Sequence, residues 1–156
     1  MATDPSQGSR APAFRLTTDD GREISSAELK GKPYVIYFYP KDDTSGCTKE
    51  AIAFSDKRKD FDTLGVAIIG ISRDSVASHR KFKEKHKLAL ILASDPETFM
   101  AKAFGTWIEK SMYGRRYMGM DRATFLVDEK GKIRQIWRKV KVPGHADAVL
   151  EAARNL

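Results

Sequence analysis

Short runs of β-branched and aromatic residues alternate along this chain with stretches of helical spacing, and that alternation predicts the order of elements. Residues 13–17 and 22–25, joined by a turn at Asp19, Asp20 and Gly21, read as a hairpin. One helical turn is expected at residues 26–29, stopped by Gly31. Residues 32–39 run from Tyr34 to Tyr39 without a polar side chain other than tyrosine hydroxyls. A strand apolar on both faces is a central one, covered by helices on each side.

Cys47, Ala51 and Phe54 then fall at i, i+4 and i+7 of a helix, with Phe61 and Leu64 continuing its buried stripe to a stop at Gly65. Residues 66–71 form a second buried strand. Asp74 or Ser75 caps a helix to about His86, with Val76, His79, Phe82 and His86 on one side. Residues 88–92 are a third strand, and Asp95 and Pro96 open a helix carrying Phe99, Met100, Ala103 and Phe104, ended by Gly105. A long loop leads to a hairpin of residues 123–128 and 132–137. A last helix follows Pro143 and Gly144 and buries Ala146, Val149, Leu150 and Ala153. The succession predicts an α/β fold: a central mixed β-sheet flanked by helices, with an N-terminal β-hairpin.

A chain of 156 residues makes one domain, spanning 1–156, with residues 1–8 expected to be flexible. At 41% hydrophobic and 31% charged, its composition is that of an ordinary soluble globular protein. One cysteine excludes an intramolecular disulfide, and the polar N-terminus lacks the apolar run of a signal peptide. The longest wholly apolar run, residues 88–93, is far short of the roughly 20 residues of a membrane span. A cytoplasmic protein with no membrane partner is expected. The net charge of +7 invites a nucleic-acid reading, but the cations of residues 79–87 lie on a solvated helix face. Arg115 with Arg116, and residues 138–141, are short and interrupted, and no RNP strand or zinc-ligand set accompanies them. No nucleic acid is expected as a specific partner, only weak attraction to polyanions at low salt.

The lone Cys47 stands directly after the central strand and at the start of a helix. Cysteine reacts as the thiolate, and a helix N-terminus stabilises an anion through its free N–H groups and its dipole. A free thiol is only about 3% ionised at pH 7, so a reactive site has to favour the anion. A helix terminus supplies roughly 0.3–2 kcal/mol toward that, and one cation with charge-assisted hydrogen bonds about 1.5–3 kcal/mol more. Nucleophilicity falls as acidity rises, so donors aimed at developing charge must supply the larger gain.

Pro40, Thr44 and Cys47 stand in the spacing Pro-x-x-x-Thr-x-x-Cys, which resembles the peroxidatic motif of the peroxiredoxins. The flanking residues 38–44 and 46–50 are similar to the bacterioferritin-comigratory-protein (peroxiredoxin Q) branch. Residues 70–76, 94–97, 110–114, 119–128 and 137–146 resemble it in the same order. The resemblance implies a thioredoxin-like, peroxiredoxin-type fold without cofactor or metal. It implies a thiol-dependent peroxidase that reduces hydrogen peroxide and alkyl hydroperoxides through a sulfenic acid on Cys47. It assigns Arg122, on the late hairpin, as the cation beside the sulfur. Thr44 either accepts a proton from a peroxide oxygen or donates to the sulfur, Pro40 shields the thiolate, and Glu50 orients Arg122.

The chain departs from its relatives in two places. The family carries a second cysteine five residues after the first, which is Ile52 here, or in the next helix near Lys83. Two accounts of its absence stay open: a one-cysteine enzyme resolved by an external thiol (thioredoxin, or glutathione with glutaredoxin), or an engineered loss. Ser45 stands where this branch has proline. The branch implies a monomer. Two other functions compete with the peroxidase: a redox-responsive binding protein with Cys47 as sensor, and a basic nucleic-acid-associated protein. His79, His86 and His145 read as structural histidines rather than metal ligands, and Asp42 with Asp43 as a polar turn. Met112, Met118 and Met120 read as gap-fillers, and Trp107 and Trp137 as core or rim aromatics.

Overall fold

The computed structural model of the protein describes residues 4–156. In chain order the elements are β1 (Arg15–Thr18), β2 (Glu23–Ser25), β3 (Tyr34–Phe38), α1 (Ser45–Asp56), α2 (Arg58–Thr63), β4 (Ala67–Ser72) and α3 (Val76–His86). There follow β5 (Ile91–Ser94), α4 (Phe99–Ala103), β6 (Trp107–Met112), β7 (Arg115–Met120), β8 (Ala123–Val127), β9 (Ile133–Trp137) and α5 (His145–Arg154). Seven strands form one mixed sheet in the order β2-β1-β5-β4-β3-β8-β9. Strands β3, β4 and β5 run parallel, while β8 pairs with β3 antiparallel. This is the expected α/β architecture with its N-terminal hairpin.

β3 lies inside the sheet, between β4 and β8, because all five of its residues are apolar enough to be buried. Val35 and Tyr37 face α1 and α5 together with Phe54, Phe61, Leu126 and Val149. Ile36 and Phe38 face the other side, with Ile69, Ile71, Phe104 and Phe125. The sheet therefore separates two cores, and the polypeptide leaves β3 directly into the turn before Cys47.

Several boundaries differ from the sequence reading. The helix expected to run to Leu64 breaks at Lys57 (φ −99°, ψ 4°), and Leu64 is exposed rather than buried. Residues 26–29 form hydrogen-bonded turns, Leu29 N–H to Ser26 O and Lys30 N–H to Ala27 O, without a helix. The third strand starts three residues later than expected, although Leu88 and Leu90 are buried in its approach. The long loop before residue 123 is a second, two-stranded sheet of β6 and β7. Its turn at Tyr113 and Gly114 has positive φ at both positions (51° and 76°), as a tight hairpin needs. Glu109, Lys110, Arg115 and Arg116 leave neither face of it apolar, so no two-residue hydrophobic period marks it in the sequence. Of the lead-in expected to be flexible, residues 1–3 lie outside the described residues; Gly8 N–H donates to Ile133 O at 2.7 Å. Among the described residues no helix is long and apolar enough to cross a membrane.

Two aromatic contacts under α1 can be tested directly. Tyr37 stacks on Phe54 at 4.7 Å between ring centroids, and a Cβ on Gly70 would stand 2.7 Å from the Tyr37 ring. Gly70→Ala is expected to cost about 1–3 kcal/mol in urea unfolding, because the stacked ring has nowhere to go. The Tyr37 hydroxyl is buried without a hydrogen-bond partner among the described residues. Tyr37→Phe should therefore leave stability unchanged or raise it by up to about 2 kcal/mol.

Candidate active site

Cys47 is the third residue of α1, where backbone N–H groups have no partner inside the helix. The first such bond is Thr48 N–H to Thr44 O at 2.8 Å; the Cys47 N–H has no acceptor among the described residues. No acidic residue occupies the first turn to oppose an anion there. The cysteine is 1% exposed and lies in one core cluster with Ala51, Phe54 and Tyr37 of β3.

Arg122 enters from the residue before β8. Its backbone carbonyl accepts the Val140 N–H at 2.9 Å. Its neighbour Asp121 is held by the Thr106 carbonyl at 2.7 Å and by the Lys139 N–H at 3.2 Å. The connection after β9 thus fixes the place from which the guanidinium reaches over α1. Nη2 donates to Cys47 Sγ at 3.4 Å, and Nη1 donates to Glu50 Oε1 at 2.7 Å. Gly46 eases the approach, since a Cβ there would crowd Nη2 at 3.3 Å. Arg122 therefore bridges two other expected residues, Cys47 and Glu50.

Thr44 and Pro40 sit differently. Thr44 is the N-cap of α1, but its hydroxyl donates to Lys41 O at 2.9 Å and makes no hydrogen bond to the sulfur. That proton is committed, so the oxygen has only lone pairs to offer. Pro40 is exposed where the chain leaves β3, and it has no N–H to continue the ladder.

Burial governs the electrostatics. Glu50 is 1% exposed, and its second carboxylate oxygen has no partner among the described residues. Its pKa is pushed up to about 7 by burial, which outweighs the downward pull of Arg122. Burial works against the charge on Arg122, but Glu50 and the sulfur hold that guanidinium above its ordinary value. His145 is pushed down to about 4 by burial and then by Arg122; its Nε2 lies 2.7 Å from Thr124 Oγ1. The site therefore presents one persistent cation to one sulfur, beside a carboxyl that titrates near neutrality and an imidazole that stays neutral.

Residues 7–136 match the AhpC/TSA family. The chain belongs to that family, in its peroxiredoxin Q branch. Among similar proteins, a putative peroxiredoxin of Coxiella burnetii is 46% identical over 92% of this chain and 95% of its own length. The Bacillus subtilis peroxiredoxin Bcp is 44% identical over 96% and 95%. A bacterioferritin comigratory protein of Xanthomonas campestris, solved as a trapped intermediate and ligand complex bearing on its alkyl peroxide reduction, superposes with a TM-score of 0.88. It is 44% identical and covers 91% of this chain and 90% of its own. As a peroxiredoxin the chain is a thiol-dependent peroxidase, and its one cysteine fits a sulfenic acid intermediate.

One group of residues around the peroxiredoxin site was missed by the sequence reading. Asp42, assigned to a polar turn, is buried and bonded to Tyr39, Ser78 and His79. The available signal was His79 between Val76 and Phe82 on the inward side of the helix, a buried imidazole that needs oxygen partners. His86 meets the other half of the turn, Asp43, at 2.8 Å.

The titration of Glu50 gives a stability test. A carboxyl whose folded pKa is raised favours folding while protonated and loses that contribution as pH rises from its ordinary value of 4.5 through about 7. Glu50→Gln removes this loss, so the variant should gain stability relative to the parent as pH rises across that window. Urea midpoints measured at pH 5 and pH 8 check it; a parallel pair of curves would refute the buried carboxyl.

Proposed function

We propose that Cys47 reduces hydrogen peroxide and alkyl hydroperoxides by direct attack of its thiolate on the peroxide. The sulfur bonds to the terminal oxygen and the O–O bond breaks. The sulfur becomes a sulfenic acid, and the departing oxygen leaves as water or alcohol after taking a proton. The contact carrying the proposal is the Arg122 guanidinium, which touches Cys47 Sγ at 3.4 Å while its other arm is held by Glu50. Arg122 and the free N–H of Cys47 are donors aimed at charge that develops on the two peroxide oxygens. Thr44, with only lone pairs to offer, accepts the O–H of the incoming peroxide and so orients it. Pro40 shields the sulfur, and Glu50 positions Arg122.

With no second cysteine in the chain, an external thiol attacks the sulfenic sulfur, forms a mixed disulfide and releases water; a second thiol restores Cys47. Thioredoxin, or glutathione with glutaredoxin, supplies those thiols in our reading, and the enzyme works as a cytoplasmic monomer. No metal or cofactor enters the cycle.

Stopped-flow mixing of reduced protein with stoichiometric peroxide tests the first step. Loss of one thiol, with sulfenic acid on Cys47 by mass spectrometry, should be orders of magnitude faster than for free cysteine. A rate near that of free cysteine would leave only a sensor. Arg122→Lys keeps the charge but not the two-armed reach, and should slow this step about 10–1,000-fold. An unchanged rate would discard the assigned role of the guanidinium. Steady-state peroxide loss with each reductant supplied separately identifies the donor.

A further inference from the structure

We propose that Asp42 is a positioning residue for the peroxide reaction, acting with His79 as a buried latch that holds the turn between β3 and α1 in its reactive shape. The proposal deepens the peroxidase reading and rests on it. Asp42 stands two residues before Thr44 and five before Cys47, yet its carboxylate points away from both, into α3. Oδ1 accepts the Tyr39 hydroxyl at 2.6 Å, and Oδ2 accepts Ser78 Oγ at 2.8 Å. His79 Nδ1 lies 2.8 Å from the same Oδ2, and His79 Nε2 lies 3.0 Å from the Ala93 carbonyl. The Ala93 carbonyl can only accept, so Nε2–H donates to it, and Nδ1 is left to share a hydrogen bond with the Asp42 carboxyl. The backbone N–H of Asp42 donates in turn to Asp74 Oδ2 at 2.8 Å, and that oxygen also takes the Ser72 hydroxyl at 2.6 Å.

Tyr39, just past β3, and the first turns of α3 therefore meet at this carboxylate, while the end of β4 joins it through Asp74 and β5 through His79. Its side chain is 4% exposed and that of His79 is 0% exposed. A buried polar pair of this kind is weak support for stability as such, because apolar residues of similar volume serve as well at no desolvation cost. What the pair does supply is one defined position for the turn, since each polar group would be left unpaired in any other. A second link lies outside it, where Asp43 meets Lys85 at 2.6 Å and His86 at 2.8 Å. That link is exposed and screened, worth little by comparison.

None of these groups touches the sulfur, so the latch acts through the backbone that carries Thr44 and the Cys47 N–H. Releasing it has two opposite consequences. Thr44 and the N–H leave the positions from which they meet a peroxide, while the sulfur loses part of its cover.

The test is Asp42→Asn, which keeps the volume and removes the charge, measured in two reactions of the full-length reduced protein. Oxidation by hydrogen peroxide should slow by about tenfold to a hundredfold, the scale on which an ångström of misplacement acts. Alkylation of Cys47 by iodoacetamide should become several-fold faster, with circular dichroism unchanged. A merely structural role lowers both rates together or moves neither, and either result overturns the latch. Should the Asn variant fail to fold, Ser78→Ala removes one hydroxyl from the same oxygen and should shift both rates in the same opposed directions by less. A fast parent enzyme with an unmoved variant overturns the latch alone; a parent no faster than free cysteine overturns the peroxidase reading beneath it.

Discussion

One guanidinium, gripped on one side by a buried carboxylate and touching a buried sulfur on the other, organises this molecule's chemistry. Arg122 can hold that place only because three unrelated parts of the chain agree. The turn of α1 spaces Cys47 and Glu50 three residues apart on one face; the sheet brings β8 alongside β3; and Val140 with Lys139 ties down the segment from which the arginine projects. A lysine offers no fork with which to meet both partners. The low exposure of Cys47 and Glu50 makes the arrangement matter, because charge is screened least where water is excluded.

The same burial sets opposing pH terms around the site. Glu50 favours the folded state when protonated, and this contribution is lost as pH rises from 4.5 through about 7. His145, with its folded pKa depressed to about 4 from 6.5, contributes stability that is present above 6.5 and lost as pH falls toward 4. The two windows overlap, so one group gains as the other loses. Arg122 acts on both in the sense that favours losing a proton, yet burial is the larger influence on each. A site built around a permanent cation can thus hold a carboxyl that titrates near neutrality beside a neutral imidazole.

Much of this was legible along the chain, for reasons that differ by element. β3 and α1 announce themselves because their burial is encoded locally, in an unbroken apolar run and in the spacing of Cys47, Ala51 and Phe54. The contact of Cys47, Arg122 and Glu50 followed from motif order, since no periodicity relates residues 47 and 122. β6 and β7 escaped because both their faces meet solvent, which erases the alternation that identifies a strand. The break at Lys57 leaves no proline or glycine behind it to read. Asp42 escaped for a deeper reason: a short acidic pair looks like a turn, and what buries one of its members is a histidine thirty-seven positions away.

The absent second cysteine fits this reading of the turn. In a chain where a cysteine on α3 resolves the first, the two α-carbons have to come within about 7 Å of each other, and the turn that carries the first must permit it. Here the equivalent region of α3 carries Lys83, paired with Asp19 at 3.0 Å, and the first turns of the same helix carry Ser78 and His79, which fasten the turn. No internal disulfide asks that fastening to open. The demand comes from the external thiol instead, which is larger than a peroxide and must reach a sulfur that is 1% exposed. Capture of peroxide and repair of the sulfenic acid thus place contrary requirements on residues 40–44. On the proposed latch, the free energy that holds Asp42 among its partners sets how the enzyme divides its time between them.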